Sequence, residues 1–213
     1  MGAMAAMSGV VTGLEISVAP AAVLRRMGMG SSGARGAGEI GSLIARGIEA
    51  GRRLVAPAAV CATIVIERCA GGVVSFEGTG FVIRSADVAG LLAPCARATL
   101  IGATVGQGLS SASGRLMAGK AMTEAMILDA YGSEAVEAVV DAVVEGLGRE
   151  AGAAGFTLTR RFSPGYGDWP LSSQPGVLDA LGAARIGIAA GPECILAPEK
   201  SVTAVLGWVS RDT

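Results

Sequence analysis

The chain has 213 residues, 51% of them apolar and only 16% charged, with 17 Lys and Arg against 18 Asp and Glu. A net charge of −1 with no basic run excludes the electrostatic footprint of a nucleic-acid binder. The absence of any histidine excludes Ser-His and Cys-His catalysis by this chain alone.

The four cysteines, Cys61, Cys69, Cys95 and Cys194, form no C-x-x-C pair, so they read as small buried hydrophobes and no metal site is expected. No run reaches the ~18 apolar residues of a membrane helix. The uncharged stretch 54–66 is short and carries Pro57, and residues 1–14 lack the basic flank of a signal peptide. A cytoplasmic protein with no membrane partner is expected. Charge well below the typical ~25% leaves room for a docking surface or a homodimer.

In chain order, residues 13–18 predict a short strand and residues 20–27 a short helix opened by Pro20. Residues 30–38 form a Gly/Ser turn region. Residues 39–54 carry Ile40, Leu43, Ile44 and Ile48 at helical spacing. Residues 60–67, 73–76 and 80–83 predict an antiparallel meander, 86–95 a short helix, and 97–104 a buried strand broken by Gly106-Gln107-Gly108. A long helix is expected over 111–150, interrupted near Gly132. A strand over 155–162 leads into a loop, a helix over 175–181 follows, and strands over 186–190, 194–196 and 202–209 finish the chain. Mixed helices and strands with short strand links predict an α+β fold. It would be one domain over residues 1–213, with a mixed or antiparallel twisted sheet packed against helices that include one long central helix.

Three stretches carry candidate chemistry. Arg160 to Pro170 packs cations, aromatics, an acid and turn formers together. Its prolines and glycines forbid regular structure, and Pro164-Gly165 suits the centre of a type II turn. Such a loop is either a rigid turn with an aromatic plug or a cradle for a small polar ligand. On the long helix, Asp129, Ser133, Glu137 and Asp141 recur every four residues and form one row among valines. That row is either a solvated face or a seam lining a cleft. If partly buried, it demands a cation, from Arg160, Arg161 or a ligand. Finally, Gly102 to Gly108 lies between a strand and a helix, as phosphate-binding loops do. It matches neither G-x-G-x-x-G nor a Gly-Lys-Ser/Thr motif.

The hexapeptide Arg161-Phe162-Ser163-Pro164-Gly165-Tyr166 resembles the R-P-A-P-G-Y motif in the reactivation (activation) domain of cobalamin-dependent methionine synthase. The likeness continues through Gly167-Asp168-Trp169-Pro170, Ile186-Gly187-Ile188 and Pro198-Glu199-Lys200-Ser201-Val202-Thr203-Ala204-Val205. The helix segment from Leu128 to Glu137 is similar to that of small stand-alone members, and the resemblance spans residues 100–208. Phe162 and Ser163 stand where the family has proline and alanine, and Gly167-Asp168-Trp169 where it has P-A-C.

The resemblance implies a domain that binds S-adenosylmethionine and presents its methyl group to a cobalamin. Carried over, the motif residues are Arg161, Ser163 and Gly165 for the ligand, with Tyr166 near the corrin. The acid receiving the ligand's amino group is Asp141, or Glu137 one turn away. Asp129 on the same row and Ser201 in the lysine-serine-valine strand complete the implied ligand set. No residue acts as acid or base, because reduction of cob(II)alamin to cob(I)alamin supplies a nucleophile that needs none, and the protein's task is proximity. The D-x-H-x-x-G cobalamin motif and the zinc site of full-length methionine synthases are lacking, so this chain is not the whole enzyme.

The implied function is a methyltransferase component: a stand-alone reactivation subunit supporting reductive methylation on a separate cobalamin-bearing methionine synthase or related corrinoid protein. Flavodoxin or ferredoxin would be the electron donor. The alternatives are a non-catalytic S-adenosylmethionine sensor or scaffold on the same fold, and a nucleotide-binding α/β protein using Gly102–Gly108, which requires a parallel sheet.

Overall fold

The computed structural model describes residues 9–29 and 38–211. Among them the apolar, β-branched runs pair into a seven-stranded sheet built from β1 (Gly9–Thr12), β2 (Ala58–Ala70), β3 (Val73–Phe76), β4 (Val82–Arg84), β5 (Cys95–Thr104), β6 (Phe156–Leu158) and β9 (Ser201–Ser210). A separate hairpin joins β7 (Ala189–Ala190) to β8 (Leu196–Ala197). The main order is β4-β3-β2-β5-β9-β6, with β1 also paired to β2. The edge of β2 away from β5 is shared, β1 taking residues 58–61 and β3 residues 66–70. The register aligns Ala58, Thr104 and Ser201 in one row, which defines one end of the sheet.

Every pairing in the sheet is antiparallel, so the α+β expectation holds. The nucleotide-binding alternative, which needed a parallel sheet, does not. Its glycines serve close packing instead. A Cβ on Gly102, inside β5, would lie 3.2 Å from Val60 and 3.3 Å from Leu181, and one on Gly108 would run into the Leu54 carbonyl.

Alternation along the strands divides the core in two. Ala59, Cys61, Ile101, Ala103, Leu206 and Trp208 face α1 (Pro20–Arg26), α2 (Glu39–Leu54), α4 (Gly108–Ala118) and α5 (Met122–Ala153). Val60, Ala98, Leu100 and Val205 face α3 (Ala86–Leu92) and α6 (Gln174–Leu181). Helix α5, 32 residues long, spans the first face and buries Ile127, Tyr131, Val139, Val140 and Leu147. Helix α2 reaches it through glycines: a Cβ on Gly47 would lie 2.5 Å from Ile127, and one on Gly51 would lie 2.5 Å from the Tyr131 ring.

Several expected boundaries move. The strand expected over 13–18 lies earlier, at Gly9–Thr12, and 14–19 is irregular. The long helix is two helices. The break falls at Gly119–Ala121, where Lys120 takes a positive φ of 61° and its amide bonds the Met117 carbonyl. At Gly132 α5 runs on unbroken, and the missing side chain admits Leu109 and Lys200, each 3.1 Å from where a Cβ would be. Helix α3 stops at Leu92, so that Cys95 can begin β5. The strand expected over 155–162 is only Phe156–Leu158, rejoined to β9 by a single bridge from Phe162 to Val205. The strands expected over 186–190 and 194–196 shrink to β7 and β8, with 3-10 turns at Ala183–Ile186 and Pro192–Cys194, because Gly187 and the positive φ of Glu193 and Cys194 break extended structure. The turn region expected over 30–38 falls almost wholly outside the described residues.

All four cysteines are free, and two of them, Cys61 and Cys95, are buried. Burial pushes the Cys61 thiol up to about 12 and that of Cys95 up to about 11. Among the described residues no helix is long and apolar enough to cross a membrane, and no cluster of Cys, Asp and Glu could hold a metal ion.

Candidate functional site

The loop after β6 is locked at both ends. Phe162 exchanges two backbone hydrogen bonds with Val205 of β9, at 2.9 and 2.8 Å. The Tyr166 amide then donates to the Ser163 carbonyl at 3.3 Å, with Gly165 at φ +93°, which is the type II turn expected for Pro164-Gly165. The Gly165 amide donates to the Trp169 carbonyl at 2.8 Å, and Trp169, 1% exposed, packs beside Phe162 as the plug of the loop.

Asp168 fastens the loop to α3. Its carboxylate accepts from the Ser85 hydroxyl, from the Ala86 amide at 2.6 Å and from the Asp87 amide at 3.2 Å. The Asp168 amide in turn donates to the Asp87 carboxylate at 3.2 Å. The Ser85 hydroxyl beside it holds the Asp168 carboxyl below the usual range, and the two amides act in the same direction. Gly167, at φ +52°, has no room for a side chain, because a Cβ would collide with the Asp87 carboxylate.

Under this loop, at the end of the sheet marked by Ser201, lies a cavity of about 380 Å³. Glu137 of α5 and Arg160 to Pro164 with Tyr166 form its walls, and Gln174 of α6, Leu196, Ser201, Val202 and Thr203 complete it. The volume is within the range for small-molecule sites. Arg161 donates through one terminal nitrogen to Glu137 at 3.0 Å and reaches Asp141 at 3.5 Å. Its other guanidinium nitrogens make no hydrogen bond among the described residues. The pair is partly exposed, 31% and 42% by side chain, and such pairs contribute about 1 kcal/mol at most. Exchanging it for ligand groups is therefore inexpensive.

The structure brings Arg161, Ser163, Tyr166, Glu137 and Ser201 to one cavity, with Gly165 shaping the turn above it. Asp141 touches Arg161 but does not line the cavity. Asp129 is held elsewhere, by Lys200 at 2.6 Å, and is no part of the walls. The acidic row does take the cations it needed. Arg161 meets its lower half and Lys200, 8% exposed and also bonded to Ser133 at 3.2 Å, meets its upper half. Arg160 lies over the Phe162 ring instead. Sequence reasoning passed over Lys200, Gln174 and Thr203. Each is tied to a residue far away in the chain, Lys200 to Asp129 and Gln174 to Thr203.

No protein-family model matches the chain, and no curated protein matches it. A solved structure does: the MetH reactivation domain bound to AdoHcy superposes with a TM-score of 0.61 at 12% identity, over 97% of this chain and 80% of that one. On that superposition, which takes in nearly its whole length, this chain has the fold of the MetH reactivation domain.

Proposed function

We propose that the chain binds S-adenosylmethionine beneath the 161–166 loop and supports reductive methylation of a corrinoid carried by a separate protein, such as a cobalamin-dependent methionine synthase. The observation that carries this reading is the Arg161–Glu137 pair on a cavity roofed by a type II turn. An amino acid's carboxylate and ammonium are the groups that such a pair receives, the carboxylate on the free side of the guanidinium and the ammonium on Glu137 with Asp141 behind it. The neutral polar wall of Ser163, Ser201, Thr203 and Gln174 suits a nucleoside. AdoHcy, the ligand of the structural neighbour, is built from those two parts.

The mouth of the cavity suits a docked corrin. Tyr166 is 70% exposed, and Leu171, which packs under Gly165, and Ile195, next to the lining residue Leu196, are exposed large apolar side chains. Flat apolar surface beside a polar cavity is what a partner-borne macrocycle would cover. A corrinoid held there would supply the nucleophile that accepts the methyl group. This chain's own residues bind and orient the donor, and Tyr166 closes its open side. The partner would be a corrinoid protein, reduced by flavodoxin or ferredoxin.

Calorimetric titration with S-adenosylmethionine tests the reading. Saturable binding is expected, and Arg161→Ala should weaken it at least tenfold, matching the loss of a charge-assisted contact of about 1.5–3 kcal/mol. Absence of heat at millimolar ligand, alone and with a cobalamin protein added, rejects it.

A further inference from the structure

Gln174 is 4% exposed, yet its side chain borders the cavity. Its carboxamide oxygen accepts the Thr203 hydroxyl at 2.6 Å, the only hydrogen bond of that side chain among the described residues. Thr203 is itself 2% exposed and held in β9, paired with Gly102 of β5. With the oxygen clamped, the amide nitrogen is left with its donors unpaired and one direction available, the cavity. A buried amide is ordinarily satisfied, because each unmade bond carries a desolvation penalty. The Gln174 nitrogen escapes that penalty because it is not itself fully buried: it meets the open space of the cavity that Gln174 lines.

We infer that Gln174 is a hydrogen-bond donor to the nucleoside part of the bound ligand, a specificity-determining residue that deepens the proposed function and rests on it. The placement supports a direction as well as a contact. Arg161 and Glu137 form the charged wall, Glu137 rising from α5 on one face of the sheet. Gln174 and Thr203 form a neutral wall on the α6 face. A ligand with a zwitterionic end and an uncharged end is oriented by that contrast: its amino-acid end lies on Arg161 and Glu137, and its nucleoside lies toward α6. The acceptor for Gln174 is then an uncharged one, a ribose oxygen or a purine ring nitrogen. A neutral amide fixed in advance by Thr203 loses little side-chain freedom on binding, which favours selectivity.

The test uses calorimetry on the full chain with two unreactive probes, S-adenosylhomocysteine and 5′-methylthioadenosine, the second lacking the amino-acid end. The variants are Gln174→Glu, which keeps an oxygen on Thr203 but presents an oxygen where the donor was, and Gln174→Met, which removes both. Thermal unfolding without ligand separates misfolding from lost recognition. The expected result is that Gln174→Glu, although it unfolds at a lower temperature because its charge is largely buried, stays folded at the assay temperature and binds both probes at least tenfold more weakly, with Gln174→Met weakened similarly. Unchanged binding by Gln174→Glu overturns the assignment of a donor. So does a loss for S-adenosylhomocysteine with none for 5′-methylthioadenosine, or no binding of 5′-methylthioadenosine by the unaltered protein while S-adenosylhomocysteine binds. If the unaltered protein binds neither probe, the functional reading falls and this assignment falls with it.

Discussion

Asp168 lies on the same short loop as the residues that wall the cavity, yet its carboxylate turns toward the start of α3 and accepts three hydrogen bonds there. A carboxyl held below its ordinary range by folding adds stability above the unfolded value of about 3.9, and that stability is lost as pH falls through the lowered folded value. Asp168→Asn removes the charge and with it this dependence. Acid titrations of the unfolding midpoint should show the unaltered protein losing stability below about pH 4 more steeply than Asp168→Asn. Equal slopes would mean that the carboxylate contributes no ionisation linkage. At this scale the sequence was partly legible. That the acidic row holds a cation could be expected, because like charges on an apolar helix need one whatever the fold, but the row alone left Arg160, Arg161 and a ligand open. The roles of Lys200 and Gln174 could not be expected, since they depend on Asp129 and Thr203, 71 and 29 residues away by subtraction of their numbers.

Among the elements, regular periodicity placed α2, β3 and β9 within a few residues of where they lie, and chemistry without periodicity blurred the rest. The α4–α5 corner is the plainest case. It turns on Lys120 in the left-handed region, and lysine gives no signal for that conformation. Lys120 is exposed, so Lys120→Gly removes the backbone strain at no packing cost. It should stabilise the protein by about 1 kcal/mol, or about 2–4 °C in Tm for a chain of this size. No change in Tm would show that the corner holds no strain. The opposite sign is expected at Gly51. Alanine is the better helix former by about 1 kcal/mol. Its methyl, however, would meet the Tyr131 ring inside a packed interface, and overpacking costs about 1–3 kcal/mol. Gly51→Ala should therefore lower stability, measurable by urea unfolding. A gain would show that α2 can slide away from α5.

In the whole molecule, the two faces of the sheet carry different duties. One is covered by the long helix and its neighbours, the other by α3 and α6, and the cavity opens where the sheet ends between them. A ligand there would touch both layers at once, which neither layer's sequence disclosed by itself. The α+β class followed from short strand links, but the strand order did not, because nothing local states that the last long strand inserts beside β5.

That insertion governs how the chain is made. The indole of Trp208 donates to the hydroxyl of Thr99 across 109 residues of sequence, and β5 and β9 are paired along nearly their whole length. During synthesis β2 and β5 leave the ribosome long before β9 does. Until β9 arrives, one side of β5 is an unpaired edge, and both cores lack a central wall. Contacts so distant in sequence slow folding, and an open apolar edge invites pairing with other chains. The nascent protein is thus exposed to aggregation until residues 201–210 have emerged and paired with β5.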